Sequence, residues 1–144
     1  VDERDLATAD DPNQFGLIHG DVNPSNYFWQ PELETPFMFD WDQCQHAWFL
    51  YDLAQPLWGV YVTQERGAPD YSVVPQANLV KYRTALLEGY QEEGFEVDLE
   101  ALDRMVAIRR QLYKSFCNRA LLELDPTSFM GKFCKGMADW LGPE

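Results

Sequence analysis

The sequence predicts an α+β fold, a short β-hairpin followed by several helices. Three observations carry this. Two aromatic, strand-prone runs, Tyr27-Phe28-Trp29 and Phe37-Met38-Phe39, flank a polar turn that contains Pro31. From Ala47 onward the apolar residues recur at three- and four-residue spacing, the period of an amphipathic helix. The 144 residues are 46% hydrophobic and 15% aromatic, enough to fill the core of one domain and to exclude disorder as the general state.

Residues 1–14 are polar, acidic and without periodicity, and read as a flexible lead-in to a single lobe over 15–144. Phe15 to Ile18 is a short apolar run that ends at the turn His19-Gly20-Asp21. The hairpin follows. Phe49, Leu50, Leu53, Leu57 and Trp58 then mark a first helix, with a kink expected at Pro56. Residues 63–72 read as a loop, and Pro75 as a first-turn residue of the next helix. Leu79, Tyr82, Leu86, Leu87 and Tyr90 line one face of that helix, which is expected to stop near Gly94. Asp98 is placed to cap a long helix carrying Leu102, Met105, Val106, Arg109, Leu112, Tyr113, Phe116 and Ala120, and Asp125-Pro126 ends it. A last helix sets Phe129, Phe133, Met137, Trp140 and Leu141 on one stripe.

Charge and cysteine usage narrow the function classes. Eleven Lys and Arg against 24 Asp and Glu leave a net charge of −13. Such a chain repels phosphate backbones, so nucleic acid is not an expected partner, whereas cations and amine-bearing small molecules are attracted. No apolar run approaches a membrane span, and no signal peptide opens the chain. Cys44, Cys117 and Cys134 are odd in number and widely spaced, and read as three buried thiols of a cytoplasmic protein.

The chemistry concentrates between residues 17 and 42. His19, Asp21 and Asn26 form H-x-D-x-x-x-x-N, a spacing that shuffling yields in about one chain in 160, suggestive but insufficient alone. Asn26 begins the first hairpin strand and Asp40 ends the second. An antiparallel pair returns the chain alongside itself, so both side chains are expected at the same end, next to Asp21 and His19. A small set of hard oxygen donors suits magnesium shared with phosphate. A carboxylate five residues before the Asn is placed to take a proton from a hydroxyl, a division of labour that belongs to phosphoryl transfer.

His19-Gly20-Asp21-x-x-Pro24-x-Asn26, then Phe39-Asp40-Trp41-Asp42, then Tyr51-Asp52-Leu53-Ala54, resembles the aminoglycoside phosphotransferase and choline-kinase-like family of small-molecule kinases. Leu87-Glu88-Gly89-Tyr90 is similar to a later helix of that family, and Arg109 falls where a helix Arg is common. The resemblance implies the C-terminal lobe of a protein-kinase-like fold, mostly helical, with the hairpin carrying the catalytic and metal residues. It implies that Asp21 is the catalytic base and that His19 braces the catalytic loop. Asn26 and Asp40 would bind the cofactor, holding Mg2+ on the phosphates of ATP. Asp52 would anchor the loop through backbone N–H groups. The acceptor would be a hydroxyl of a small molecule, and the acidic balance is compatible with an amino sugar or amino alcohol.

The chain also departs from the family. Ala47 stands where an aromatic-rich branch has Gly, and Asp42, where many relatives have Gly, reads as a solvated or capping carboxylate. His46 reads as a packed or exposed histidine. No Gly-rich loop precedes His19, and the first Lys is Lys81. The nucleotide lobe is therefore expected to lie elsewhere in a parent chain, and these residues are not expected to turn over alone. The alternative is a non-catalytic remnant of a kinase lobe serving as a binding module. A metal-dependent phosphohydrolase is a weaker third, since two His supply few ligands for a two-metal site.

Overall fold

The computed structural model describes residues 10–66 and 78–142. Pro75, residues 67–72 of the expected loop and residues 1–9 of the expected lead-in lie outside the described residues. The chain divides into two compact units, Val1–Val106 and Ala107–Glu144.

Four short strands open the first unit: β1 (Phe15–Ile18), β2 (Tyr27–Gln30), β3 (Thr35–Met38) and β4 (Gln45–Trp48). The expected hairpin is β2–β3, with Tyr27 opposite Met38, Phe28 opposite Phe37 and Gln30 opposite Thr35. Phe28 packs on Phe37 with ring centroids 5.1 Å apart, a cross-strand aromatic pair of the kind that holds small sheets together. Glu34, at φ 50°, closes the connecting turn in the left-handed region.

The hairpin is nested inside a second antiparallel pair that the sequence did not reveal. β1 pairs with β4, Phe15 opposite Trp48 and Ile18 opposite Gln45. Residues 45–48 are therefore strand, and the helix begins at Phe49 rather than at Ala47. The reason is tertiary. A four-residue segment has little preference of its own, and this one is fixed by a partner about thirty residues earlier and by the Phe15–Trp48 edge-to-face contact at 5.3 Å. The backbone N–H of Phe49 donates to the Gln14 carbonyl at 2.9 Å, so the ladder runs directly into the helix.

Helix α1 (Phe49–Arg66) continues through Pro56 as one element and extends over Thr63–Arg66, which the sequence reading assigned to a loop. Leu53 to Trp58 are all buried, so this stretch packs on every side. It lies against β1, β4 and α2 (Leu79–Glu92). Asn78 caps α2, its side chain accepting from the Lys81 N–H at 2.9 Å, and the expected face of Leu79, Tyr82, Leu86, Leu87 and Tyr90 is its half-buried side. Helix α3 (Leu99–Glu123) starts at Asp98, whose carboxylate accepts from the N–H groups of Glu100 and Ala101, as expected. The core of this unit consists of Ile18, Leu53, Ala54, Leu57 and Trp58 with Ala101, Leu102 and Met105 of α3.

The boundary between the units falls within α3. In the second unit Cys117 is buried with Cys134, Met137 and Leu141 of α4 (Phe129–Leu141). Leu112, Phe116 and Phe129, read as interior from their spacing, are exposed, and Cys44 in the first unit is exposed where a buried thiol was expected. The buried stripe of α4 is Gly131, Cys134, Met137 and Leu141. It is fixed at Gly131, where a Cβ would run into the Asp125 carbonyl and Pro126, so only glycine lets the helix start this close to the preceding turn. That rotation carries Phe129 outward. Ser128 caps the helix, its hydroxyl accepting from the Gly131 N–H at 3.0 Å.

Candidate active site

The turn between β1 and β2 is held from the helix below it. The Asp52 carboxylate, in the first turn of α1, accepts from the backbone N–H groups of His19 at 2.9 Å and Gly20 at 2.8 Å. A carboxylate with one N–H on each oxygen locks the peptide planes it touches, and charge makes both bonds strong. This is the anchoring expected of Asp52. Gly20 has φ 86°, and a Cβ there would strike the Gln43 carbonyl oxygen, so the turn requires glycine twice over.

His19 is buried. Its Nδ1 accepts from the Asp21 N–H at 3.3 Å, which assigns the ring hydrogen to Nε2, and Nε2–H donates to the Phe39 carbonyl at 2.9 Å. The ring also stacks on Trp41 at a centroid distance of 4.5 Å. With both nitrogens occupied by the protein, His19 ties the turn to the end of β3.

Asp21 projects from that turn. Its Oδ1 accepts from Gln55 Nε2 at 2.7 Å, and its Oδ2 from Asn26 Nδ2 at 2.9 Å. Asn26 Nδ2 also reaches the Asp21 carbonyl at 3.0 Å. Asn26 is buried, and its backbone carbonyl accepts from the Phe39 N–H at 3.0 Å, one rung beyond the β2–β3 ladder. The ladder thus places the backbones of Asn26 and Asp40 at the same hairpin end. Asp40 is exposed and stands at φ 63°, a left-handed conformation that Asp tolerates better than most residues. Because Asn26 spends its N–H groups on Asp21, its Oδ1 is the side-chain atom left to accept or to ligate.

Asp42 and His46 are exposed, His46 opposite Leu17 on the β1–β4 pair. Arg109 is buried in the second unit. Among the described residues, no cluster of three or more His, Cys, Asp or Glu is arranged to hold a metal. An Asn–Asp pair is a smaller set. Its oxygen chemistry fits magnesium, which takes few protein ligands and completes its shell with water and phosphate.

Two tyrosines of α2 sit close to the same elements. Burial pushes the Tyr82 phenol up to about 12, helped by the Tyr27 phenol to which it is hydrogen-bonded. Burial, and secondarily the Asp52 carboxylate, raise that of Tyr90.

Sequence reasoning missed Gln55. Its signal was present: a polar residue inside the apolar run Leu53-Ala54-Gln55-Pro56-Leu57-Trp58, three positions after Asp52 and so on the same helix face.

The nested hairpin carries Asp21, Asn26 and Asp40 on its turns and is anchored on the Asp52 carboxylate of α1, and the family and fold comparisons agree on the class of protein this describes, a kinase-like phosphotransferase. A model of the phosphotransferase enzyme family (APH) matches residues 1–105, and the chain belongs to that family. The solved structure of amicoumacin kinase hAmiN, in complex with AMP-PNP, Ca2+ and Ami, is similar in fold with a TM-score of 0.58. The two are 22% identical over 89% of this chain, and the chain spans 38% of the length of that kinase. No curated protein matches the chain.

Proposed function

We propose that this chain is the C-terminal, catalytic half of a small-molecule kinase, residues 15–144, which moves the γ-phosphoryl group of ATP to an alcohol. The observation that carries the reading is the state of Asp21. Its carboxylate is held by two amide donors on a turn that is itself fixed by Asp52, His19 and a glycine that nothing else could replace. A scaffold has no physical need to hold a carboxylate this way.

In this reading Asp21 receives the acceptor hydroxyl and takes its proton as the oxygen attacks the γ-phosphorus. The bond from that phosphorus to the β,γ-bridging oxygen breaks, and ADP leaves. Each Asp21 oxygen keeps a lone pair beside its amide bond, so the carboxylate can be oriented and still accept. Asn26 Oδ1 and the Asp40 carboxylate would hold Mg2+, which when bound neutralises phosphate charge. The similar kinase was solved with a nucleotide and a divalent cation, which supports this chemistry for the fold. The nucleotide lobe belongs to the remainder of the polypeptide, in keeping with the chain's 38% share of that kinase. An amine-bearing alcohol is the acceptor class that a charge of −13 favours.

The test is Asp21→Asn in the complete enzyme, with Mg2+, ATP and a panel of amino sugars and amino alcohols. Transfer is expected to fall by about 1,000-fold or more, with nucleotide affinity changed less than threefold. A variant that transfers as well as wild type would return the chain to the alternative of a non-catalytic binding module.

A further inference from the structure

We propose that Gln55 is a positioning residue for the base, fixing the rotamer of Asp21 whether or not the metal is bound. This rests on the reading of Asp21 above. Asp52 and Gln55 are three residues apart on α1, hence on one face, and together they grip the whole turn: Asp52 takes the His19 and Gly20 N–H groups, and Gln55 donates to the Asp21 side chain. The Gln55 contact, at 2.7 Å, is the shortest of the bonds to Asp21 described above.

The cost of placing Gln55 there is visible. It is 8% exposed in a stretch of helix that is otherwise apolar, and its Oε1 is buried without a hydrogen-bond partner among the described residues. Packing alone would select Leu or Met, which bury no carbonyl. Turning the amide over would not relieve the carbonyl, because Oε1 would then face Asp21 Oδ1, acceptor against acceptor. The carboxylate therefore dictates the orientation, and the orphaned oxygen is the consequence. Polar groups left unsatisfied in this way concentrate where function outweighs stability.

Gln55 also complements Asn26. Asn26 has two tasks in the proposed site, donating to Asp21 and lending Oδ1 to the metal, so its amide answers to the metal as well as to the base. Gln55 has one task. With it in place, Asp21 is held from α1 by a bond independent of Asn26, and the acceptor hydroxyl meets a base already aimed.

The test is Gln55→Met, equal in length and apolar, made in the complete enzyme. We expect kcat to fall about 10- to 100-fold, with KM for ATP and for acceptor within twofold of wild type. The thermal midpoint should be unchanged or higher, since the orphaned carbonyl is gone. In an Asp21→Asn background, Gln55→Met should cause no further loss of residual activity, because the two residues act as a unit. Gln55→Leu, apolar and smaller, should lose as much and serves if the Met variant does not fold. Undiminished kcat in both variants, or a full additional loss in the Asp21→Asn background, overturns the role of Gln55 while Asp21→Asn still abolishes transfer. Equal transfer by wild type and Asp21→Asn overturns the reading of the site and the role of Gln55 with it.

Discussion

Asp52 and Gly20 shape the β1–β2 turn from two sides, one by attraction and one by leaving room. Replacing Asp52 with Asn keeps the volume but leaves one of two backbone N–H groups facing an amide N–H. Chemical denaturation should show a loss of about 2–3 kcal/mol, since hydrogen bonds to a charged group count for more than neutral ones. At Gly20, alanine must take a left-handed φ and displace the Gln43 backbone, so Gly20→Ala should destabilise by at least about 2 kcal/mol in the same measurement. The residues that touch this turn were unevenly legible. His19, Asp21, Asn26 and Asp40 lie within 22 positions, and their spacing on a turn and a hairpin is a local property of the chain. Gln55 is different: it reaches Asp21 only because β1 and α1 are brought together, and no local pattern states that pairing.

Elements followed the same division. Helices α2, α3 and α4 announce themselves through apolar period and through Asp98, Gly94 and Asp125-Pro126 at their ends, because those signals act within a few residues. β4 was invisible for the opposite reason, its partner being β1. The outward turn of Phe129 came from one close backbone approach at Gly131, which an apolar count does not weigh. The Tyr82–Tyr27 contact between α2 and β2 gives a pH signature. Tyr82 has its phenol raised to about 12, so the native state keeps its proton where the unfolded chain, near 10, releases it. That contribution is complete below pH 10 and is lost as pH rises from 10 towards 12. Denaturant midpoints across this window should fall, and Tyr82→Phe should flatten the fall. In the core beneath, Leu57→Ala should cost about 2–5 kcal/mol, measured the same way, with its size set by how far the surrounding helix can close the gap.

For the whole molecule, charge is the property with the longest reach. At −13 the protein draws cations from a distance comparable to the Debye length, about 8 Å at physiological salt. For an amine-bearing acceptor kcat/KM should therefore decline as salt rises, while a neutral alcohol of the same shape should show little dependence. The same charge would also gather metal ions diffusely over the surface, which separates a formed site from a merely acidic one. No helix among the described residues is long and apolar enough to cross a membrane. The measurement that bears most directly on residues 19–40 as a phosphoryl-transfer site is Mn2+ titration, with and without ATP, followed by line broadening of backbone amide signals in the isotope-labelled protein. Broadening should centre on Asp21, Asn26 and Asp40, sharpen in its localisation when ATP is present, and disappear from these residues in Asp40→Asn. Broadening spread over the acidic surface, indifferent to ATP and unchanged in Asp40→Asn, would contradict a metal-nucleotide site at this hairpin.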